Sequence, residues 1–283
     1  MIGHGMPSNR VAPLVRSRRL EGPYVILTFE HPEVGREARA GQFVMMKAGT
    51  SADPPLRRPF SILETDPDAG TFSVFLKAVG QGSRGLSALH PGDVAQCLGP
   101  LGRPFAAPEE GAEAIMVAGG YGIAPFLMFS RELMRASKTG RVFYGGRSAS
   151  DLQVRECFDA LGVAVVAATE DGTLGHRGRV TAPLEAHLDS MGDRPASLFA
   201  CGPGAMLQAV ASIARRRGLP CQVSLDPWMG CGIGTCLGCV VRLQGRGEER
   251  PKYRCACTEG PVFDARVVVW EGETTSAAAS GDA

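Results

Sequence analysis

Several things are missing from this chain of 283 residues, and each absence excludes a class of protein. Met1 to Pro13 has no apolar run, so no secretory leader is expected. The longest uncharged stretch, Ala114 to Ser130, is broken by Gly119-Gly120-Tyr121-Gly122 and by Pro125. It reads as strand, glycine turn and helix rather than a membrane span. Basic blocks are lacking too: the formal net charge is +1, and the run Arg215-Arg216-Arg217 reads as a helix end favoured by the helix dipole. A soluble, cytoplasmic chain with no nucleic-acid and no membrane partner is therefore expected. There is no internal repeat. Nine cysteines in so long a chain do not suit a disulfide scaffold, which is typically short and secreted. Reduced thiols or metal ligation are expected instead.

Five of those cysteines lie between residues 231 and 257. Cys231, Cys236 and Cys239 follow the spacing Cys-x4-Cys-x2-Cys, with a more distant fourth cysteine, as in a plant-type [2Fe–2S] site. Gly230, Gly232 and Gly234 alternate through the loop. A cluster needs backbone wrapped closely around sulfur with amide N–H groups presented to it, and glycine permits both. A zinc site usually pairs two Cys-x2-Cys knuckles, which this loop lacks. Spacing leaves the fourth ligand open between Cys255 and Cys257.

The chain divides by texture. Residues 11–105 carry short strands separated by turn signals, among them Tyr24–Phe29, Gln42–Lys47, Phe60–Leu63 and Phe72–Val79. These predict an antiparallel barrel or sandwich, and a FAD-binding β-barrel is expected for this unit. Residues 106–220 alternate strand and helix, which predicts a doubly wound parallel sheet. Residues 221–270 form a small C-terminal unit around the cysteines, with strands expected at Cys239–Leu243 and Arg266–Trp270, and 271–283 read as a disordered tail.

Within the first unit, Arg58, Phe60 and Ser61 lie on one predicted strand, with residues i and i+2 on the same face. The guanidinium suits a pyrophosphate, the ring a flavin, and the hydroxyl the flavin N5 edge. Lys77 leads into Gly80-Gln81-Gly82-Ser83, a glycine turn opening a short helix, which reads as a flavin pyrophosphate loop. Gly119, Gly120 and Gly122 end one strand of the second unit, and Cys201-Gly202-Pro203 ends another. Both turns belong to the carboxyl edge of a parallel sheet, where dinucleotides bind. Exchange of a hydride between nicotinamide and flavin needs ring alignment more than an acid or base, so His90, His176 and His187 are assigned no role.

Taken in order, these motifs resemble the ferredoxin–NADP reductase superfamily, and more closely the electron-transfer subunits of dihydroorotate dehydrogenase B. Gly99-Pro100-Leu101-Gly102, Glu170-Asp171-Gly172, Ser224-Leu225 and Gly260-Pro261-Val262-Phe263 add to the likeness. The resemblance implies FAD, NAD and a [2Fe–2S] cluster, with Cys257 as fourth ligand and Cys255 an extra thiol. It places Cys201 near the nicotinamide. It also puts Glu170 and Asp171 near the cofactor, where their charge disfavours a 2′-phosphate. The implied partner is an FMN-containing dihydroorotate dehydrogenase catalytic subunit in a heterotetramer of the pyrimidine pathway. A related group, the small subunits of NADH-dependent ferredoxin–NADP reductases, typically carries Asp where this chain has Cys231. Two alternatives stand beside this reading: a flavin reductase subunit serving another partner, and a zinc- or redox-sensing module.

Overall fold

The computed structural model describes residues 7–49, 55–244 and 250–270. The tail at 271–283 lies outside the described residues. Six strands close into an antiparallel barrel: β1 (Ser8–Arg19), β2 (Tyr24–Glu30), β3 (Phe43–Ala48), β4 (Arg58–Asp66), β5 (Thr71–Lys77) and β6 (Val94–Leu101), in the order β1-β2-β5-β4-β3-β6. Alternation fixes which side faces in. Ala12 and Leu14 of β1 are buried, whereas Val11 and Val15 face solvent. Two short helices, α1 (Pro32–Glu37) and α2 (Gln81–Ser87), interrupt the barrel's connections.

A seven-stranded sheet follows. It contains β7 (Glu113–Gly119), β8 (Gly140–Gly146), β9 (Ala164–Thr169), β10 (His176–Arg177), β11 (Ala196–Cys201) and β12 (Cys221–Ser224), and ends on β15 (Val262–Asp264), in the order β10-β9-β8-β7-β11-β12-β15. Every pairing is parallel except β12 with β15. The helices α3 (Ala124–Arg135), α4 (Arg155–Asp159), α5 (Thr181–Met191) and α6 (Gly204–Arg217) cover it. The period of two in β7 divides the packing. Ala114, Met116 and Ala118 share a core with α3 and the barrel, while Ile115 and Val117 share one with α5 and α6. Phe105, from the linker after the barrel, stacks on Phe126 of α3 at 5.5 Å and meets Phe199 of β11 edge-on at 5.7 Å, joining the two lobes. The basic end of α6 is not simply solvated, since Arg216 and Arg217 bond Glu185 and Asp189 of α5 at 2.8 and 2.6 Å.

The cysteine-rich segment adds a hairpin of β13 (Val240–Leu243) and β14 (Lys252–Cys255), then α7 (Ala256–Glu259). Two features differ from expectation. Cys221–Ser224, expected within the small C-terminal unit, is a parallel strand beside β11. Arg266–Trp270, expected as a strand, is a turn with one bridge between Leu243 and Val268, and the strand is Val262–Asp264. The reason is Asp264. Its carboxylate accepts from the Arg266 backbone N–H at 2.9 Å and from the Arg266 guanidinium, which bends the chain. The apolar run past the bend then supplies filling rather than pairing, with Val268 and Trp270 buried.

Candidate functional site

The two glycine turns expected to grip nicotinamide are interlocked. After β7 the chain enters a tight turn at Gly120–Ile123 and then α3. A Cβ on Gly122 would lie 2.4 Å from the Cys201 carbonyl oxygen and 2.8 Å from the Gly202 nitrogen. Gly202, at φ +152, approaches Gly119 in return: its Cβ would meet the Gly119 nitrogen at 2.9 Å. Gly119 itself abuts Pro203, at 2.6 Å for such a Cβ. No Cβ fits at Gly122 or Gly202, so the two turns meet through backbone at the carboxyl ends of the central strands.

Polar groups stand at this edge. Cys201 is buried, and burial pushes its thiol up to about 12, with the Asp226 charge adding and a hydrogen bond with Ser224 opposing. A thiol so held is a neutral, compact contact rather than a nucleophile. Tyr121 stands at the turn with its phenol raised by burial, Asp226 and Cys201, against the lowering effect of Lys77. Asp226 is an exposed residue, yet the surrounding protein displaces enough water to raise its carboxyl above the ordinary range. Beyond β9, Asp171 accepts from the Thr173 hydroxyl at 2.7 Å and backbone at 2.9 Å, and these bonds hold its carboxyl low.

The flavin strand β4 pairs with β5, on which the Gly120–Ile123 turn packs. Arg58, Phe60 and Ser61 are half-buried on β4. The Arg58 stem crosses the glycine turn, so that a Cβ on Gly82 would meet Arg58 Cγ at 3.0 Å. The guanidinium curls onto the Leu56 carbonyl at 2.9 Å. Ser83 closes the turn by accepting from the Val79 and Gly80 amides at 3.0 and 3.1 Å. The arginine and the glycine loop, more than twenty residues apart in sequence, thus form one cradle that a larger side chain at residue 82 would fill. This fits an anionic dinucleotide such as FAD. Lys77 is engaged elsewhere, with Nζ 3.0 Å from Asp151.

The cysteine loop packs against the barrel. A Cβ on Gly232, at φ +78, would strike Met45 Cγ at 2.6 Å, and Met45 pairs with Pro59 of the flavin strand. Loop amides point at sulfur. Ile233 and Cys236 N–H donate to Cys231 Sγ at 3.5 and 3.4 Å, Gly238 N–H to Cys236 Sγ at 3.5 Å, and Gly234 N–H to Cys257 Sγ at 3.1 Å. Against desolvation, which acts the other way, the donors from Cys236 and Ile233 bring the Cys231 thiol down to about 7. Cys239 and Cys257 are buried. Among the described residues no three ligating side chains meet at one point. A two-iron cluster asks for two thiolates at each iron rather than four at one. The N–H···S bonds are the donor shell that such a cluster requires, so the residues fit it.

Sequence reading assigned no site role to Asp226 or Asp151. Asp226 follows β12 and so stands at the ligand-bearing edge, a place visible only once Cys221–Ser224 is paired with β11. Asp151 carries no motif at all.

Known proteins match along the chain. Family models for an oxidoreductase FAD-binding domain, an oxidoreductase NAD-binding domain and the iron-sulfur cluster binding domain of dihydroorotate dehydrogenase B match residues 13–105, 116–212 and 226–269. The dihydroorotate dehydrogenase B (NAD(+)) electron transfer subunit of Desulforamulus reducens is 37% identical over 245 residues, covering 87% of this chain and 92% of its own. That of Bacillus caldolyticus is 36% identical over 271 residues, covering 95% and 100%. The solved structure of an NADH-dependent reduced ferredoxin-NADP oxidoreductase superposes with TM-score 0.79 at 28% identity, covering 96% of this chain and 92% of that one. Identity of this order over most of both chains, with all three cofactor-binding domains in the same order as the geometry above, places the chain in the family of dihydroorotate dehydrogenase B (NAD⁺) electron transfer subunits, an oxidoreductase family.

Proposed function

We propose that this chain carries electrons between an FMN-containing dihydroorotate dehydrogenase catalytic subunit and NAD⁺ in pyrimidine biosynthesis, as a cytoplasmic component of a heterotetramer. The observation that supports this most is the placement of β4. The Gly120–Ile123 turn packs on β5, which pairs with the flavin strand on one side, and the cysteine loop abuts β3, which pairs with it on the other. FAD, when bound, exchanges two electrons with nicotinamide and single electrons with the cluster, which makes it the adapter between the two ports.

The chain's own residues supply position. Arg58, Phe60, Ser61, Gly80, Gly82 and Ser83 hold FAD, with Ser61 toward N5 and Arg58 on the pyrophosphate. Gly119, Gly120, Gly122, Cys201, Gly202 and Pro203 hold the nicotinamide nucleotide against it. Cys231, Cys236, Cys239 and Cys257 ligate the cluster; the Gly234 amide directed at Cys257 supports that choice over Cys255. Glu170 and Asp171, just beyond β9 at the same edge, favour NAD over a 2′-phosphorylated nucleotide. Trp228 is 92% exposed, and Leu237, Ile233 and Tyr253 are also open to solvent around the cysteine loop. Such an apolar rim marks a docking face, and the catalytic subunit is its occupant.

The test is anaerobic co-expression with a candidate catalytic subunit, followed by an assay of orotate and NADH formation from dihydroorotate and NAD⁺. Equal amounts of orotate and NADH, with neither subunit active alone toward NAD⁺, support the reading. Colourless protein containing zinc would refute it and favour a sensor. Flavin and cluster present without orotate formation would point to a reductase serving another partner.

A further inference from the structure

The seam between barrel and parallel sheet holds a polar cluster with no part in the proposed electron route. Asp151 ends the short turn Ala149–Asp151 after β8. Its Oδ1 accepts from the Tyr24 hydroxyl at 2.5 Å and from Lys77 Nζ at 3.0 Å, both on barrel strands. Its Oδ2 accepts from the Arg147 N–H at 3.2 Å, and its backbone carbonyl from the Tyr144 hydroxyl at 3.1 Å. The Lys77 ammonium also lies 4.9 Å from the centre of the Tyr24 ring, which stacks on Phe75 at 5.5 Å. Asp151 is thereby tied to β8 and the loop after it on one side and to β2 and β5 on the other.

Its place on the seam matters. Lys77 is the last residue of β5, the strand that runs into the Gly80–Ser83 loop. The Gly120–Ile123 turn packs on the same strand, and Tyr121 of that turn feels the Lys77 charge. The cluster therefore sits where the nicotinamide turn approaches the flavin loop. Other charge pairs also cross the seam. Arg18–Glu156, at 3.3 Å, has side chains 47% and 60% exposed, against 31% and 16% for Lys77 and Asp151, and exposed pairs contribute little. Arg131–Glu64, at 2.8 Å, joins α3 to β4.

We infer that Asp151, Tyr24 and Lys77 form a clamp between the lobes that sets the separation of the nicotinamide turn from the flavin strand. Asp151 is a positioning residue for hydride exchange, and Lys77 acts through it rather than as a flavin ligand. This inference rests on the proposed function for its kinetic consequence and on the seam alone for its structural one.

Asp151→Asn keeps the side-chain shape and removes the charge; Tyr24→Phe removes one hydroxyl and preserves the fold if the first variant does not. Two measurements on the anaerobically purified holoprotein test the clamp. Hydrogen exchange without added nucleotide should be several-fold faster at the Arg147 amide and at the end of β5 in both variants. Stopped-flow bleaching of the flavin by NADH should slow by about 10²-fold in Asp151→Asn, the scale expected of a 1 Å misplacement. Flavin content, the reduced-cluster EPR signal and the NADH concentration giving half-maximal rate should all stay within about two-fold of native, because the clamp acts on ring separation rather than binding. Native exchange at the seam in both variants would overturn the clamp. Loss of flavin with native seam exchange would overturn it in favour of direct flavin binding by Lys77. If NADH fails to bleach the native flavin, the proposed function falls, and the exchange experiment still decides the clamp.

Discussion

Gly122→Ala is the sharpest perturbation of the nicotinamide edge, because the structure fixes what the added methyl would meet. The new Cβ would lie 2.4 Å from the Cys201 carbonyl oxygen, 2.7 Å from its carbon and 2.8 Å from the Gly202 nitrogen. Ordinary contact begins near 3.4 Å, so one turn must retreat by about 1 Å. All three atoms are backbone, and no side-chain rotation relieves the clash. The two turns are themselves interlocked, since a Cβ on Gly202 would already crowd Gly119. Overpacking of this kind costs about 1–3 kcal/mol. A displacement of about 1 Å at the reacting rings slows hydride exchange by about 10²-fold. The flavin cradle and the cysteine loop lie on the barrel side and should be untouched. The assay is anaerobic stopped-flow reduction by NADH, read with flavin content, the EPR signal of the dithionite-reduced cluster and thermal unfolding. The expected variant retains flavin and cluster, unfolds at lower temperature and is reduced slowly. Native reduction kinetics in a folded Gly122→Ala protein would refute the assignment of this turn to nicotinamide.

Further outcomes follow from the cluster loop and from Asp226. Cys257→Ser should abolish the rhombic EPR signal of the reduced cluster while Cys255→Ser retains it; the reverse pattern would transfer the fourth ligand to Cys255. Burial raises the Asp226 carboxyl above its ordinary value of 3.8. As pH rises, the unfolded chain releases this proton first, so the group favours the fold below 3.8 and that contribution is lost between 3.8 and the raised native value. At neutral pH the ionised carboxylate opposes folding. Asp226→Asn should therefore raise the midpoint of thermal unfolding at pH 7, with the gain shrinking as pH is lowered toward 4. An unchanged midpoint at pH 7 would show that solvent reaches this carboxylate as well as it does in the unfolded chain.

The readings that came directly from sequence rest on local physics. Cysteine spacing, the glycines within the cysteine loop and the Gly-Gly-x-Gly turn after an apolar run each state a backbone requirement within a dozen residues. The loop amides duly point at Cys231, Cys236 and Cys257. The alternation in residues 11–105 specified antiparallel strands but not whether they close, because closure depends on β1 pairing with both β2 and β6. Arg266–Trp270 misled for a related reason. A β-branched run serves equally as a strand or as core filling, and the Asp264 turn decides between them.

By itself, then, the sequence determined the kinds of chemistry present: thiolates spaced for iron, glycine turns shaped for phosphates, and an arginine–aromatic–hydroxyl strand suited to a flavin. Each depends on residues close enough in the chain for covalent geometry to hold them. Tertiary structure alone decided how these parts meet. It set the cysteine loop on Met45 beside the flavin strand, locked Gly122 against Cys201, brought Asp226 to the sheet edge through β12, and closed Asp151 onto Tyr24 and Lys77. Those contacts join residues tens to hundreds of positions apart. Their geometry comes from which faces the two lobes bury against each other, which no local pattern encodes.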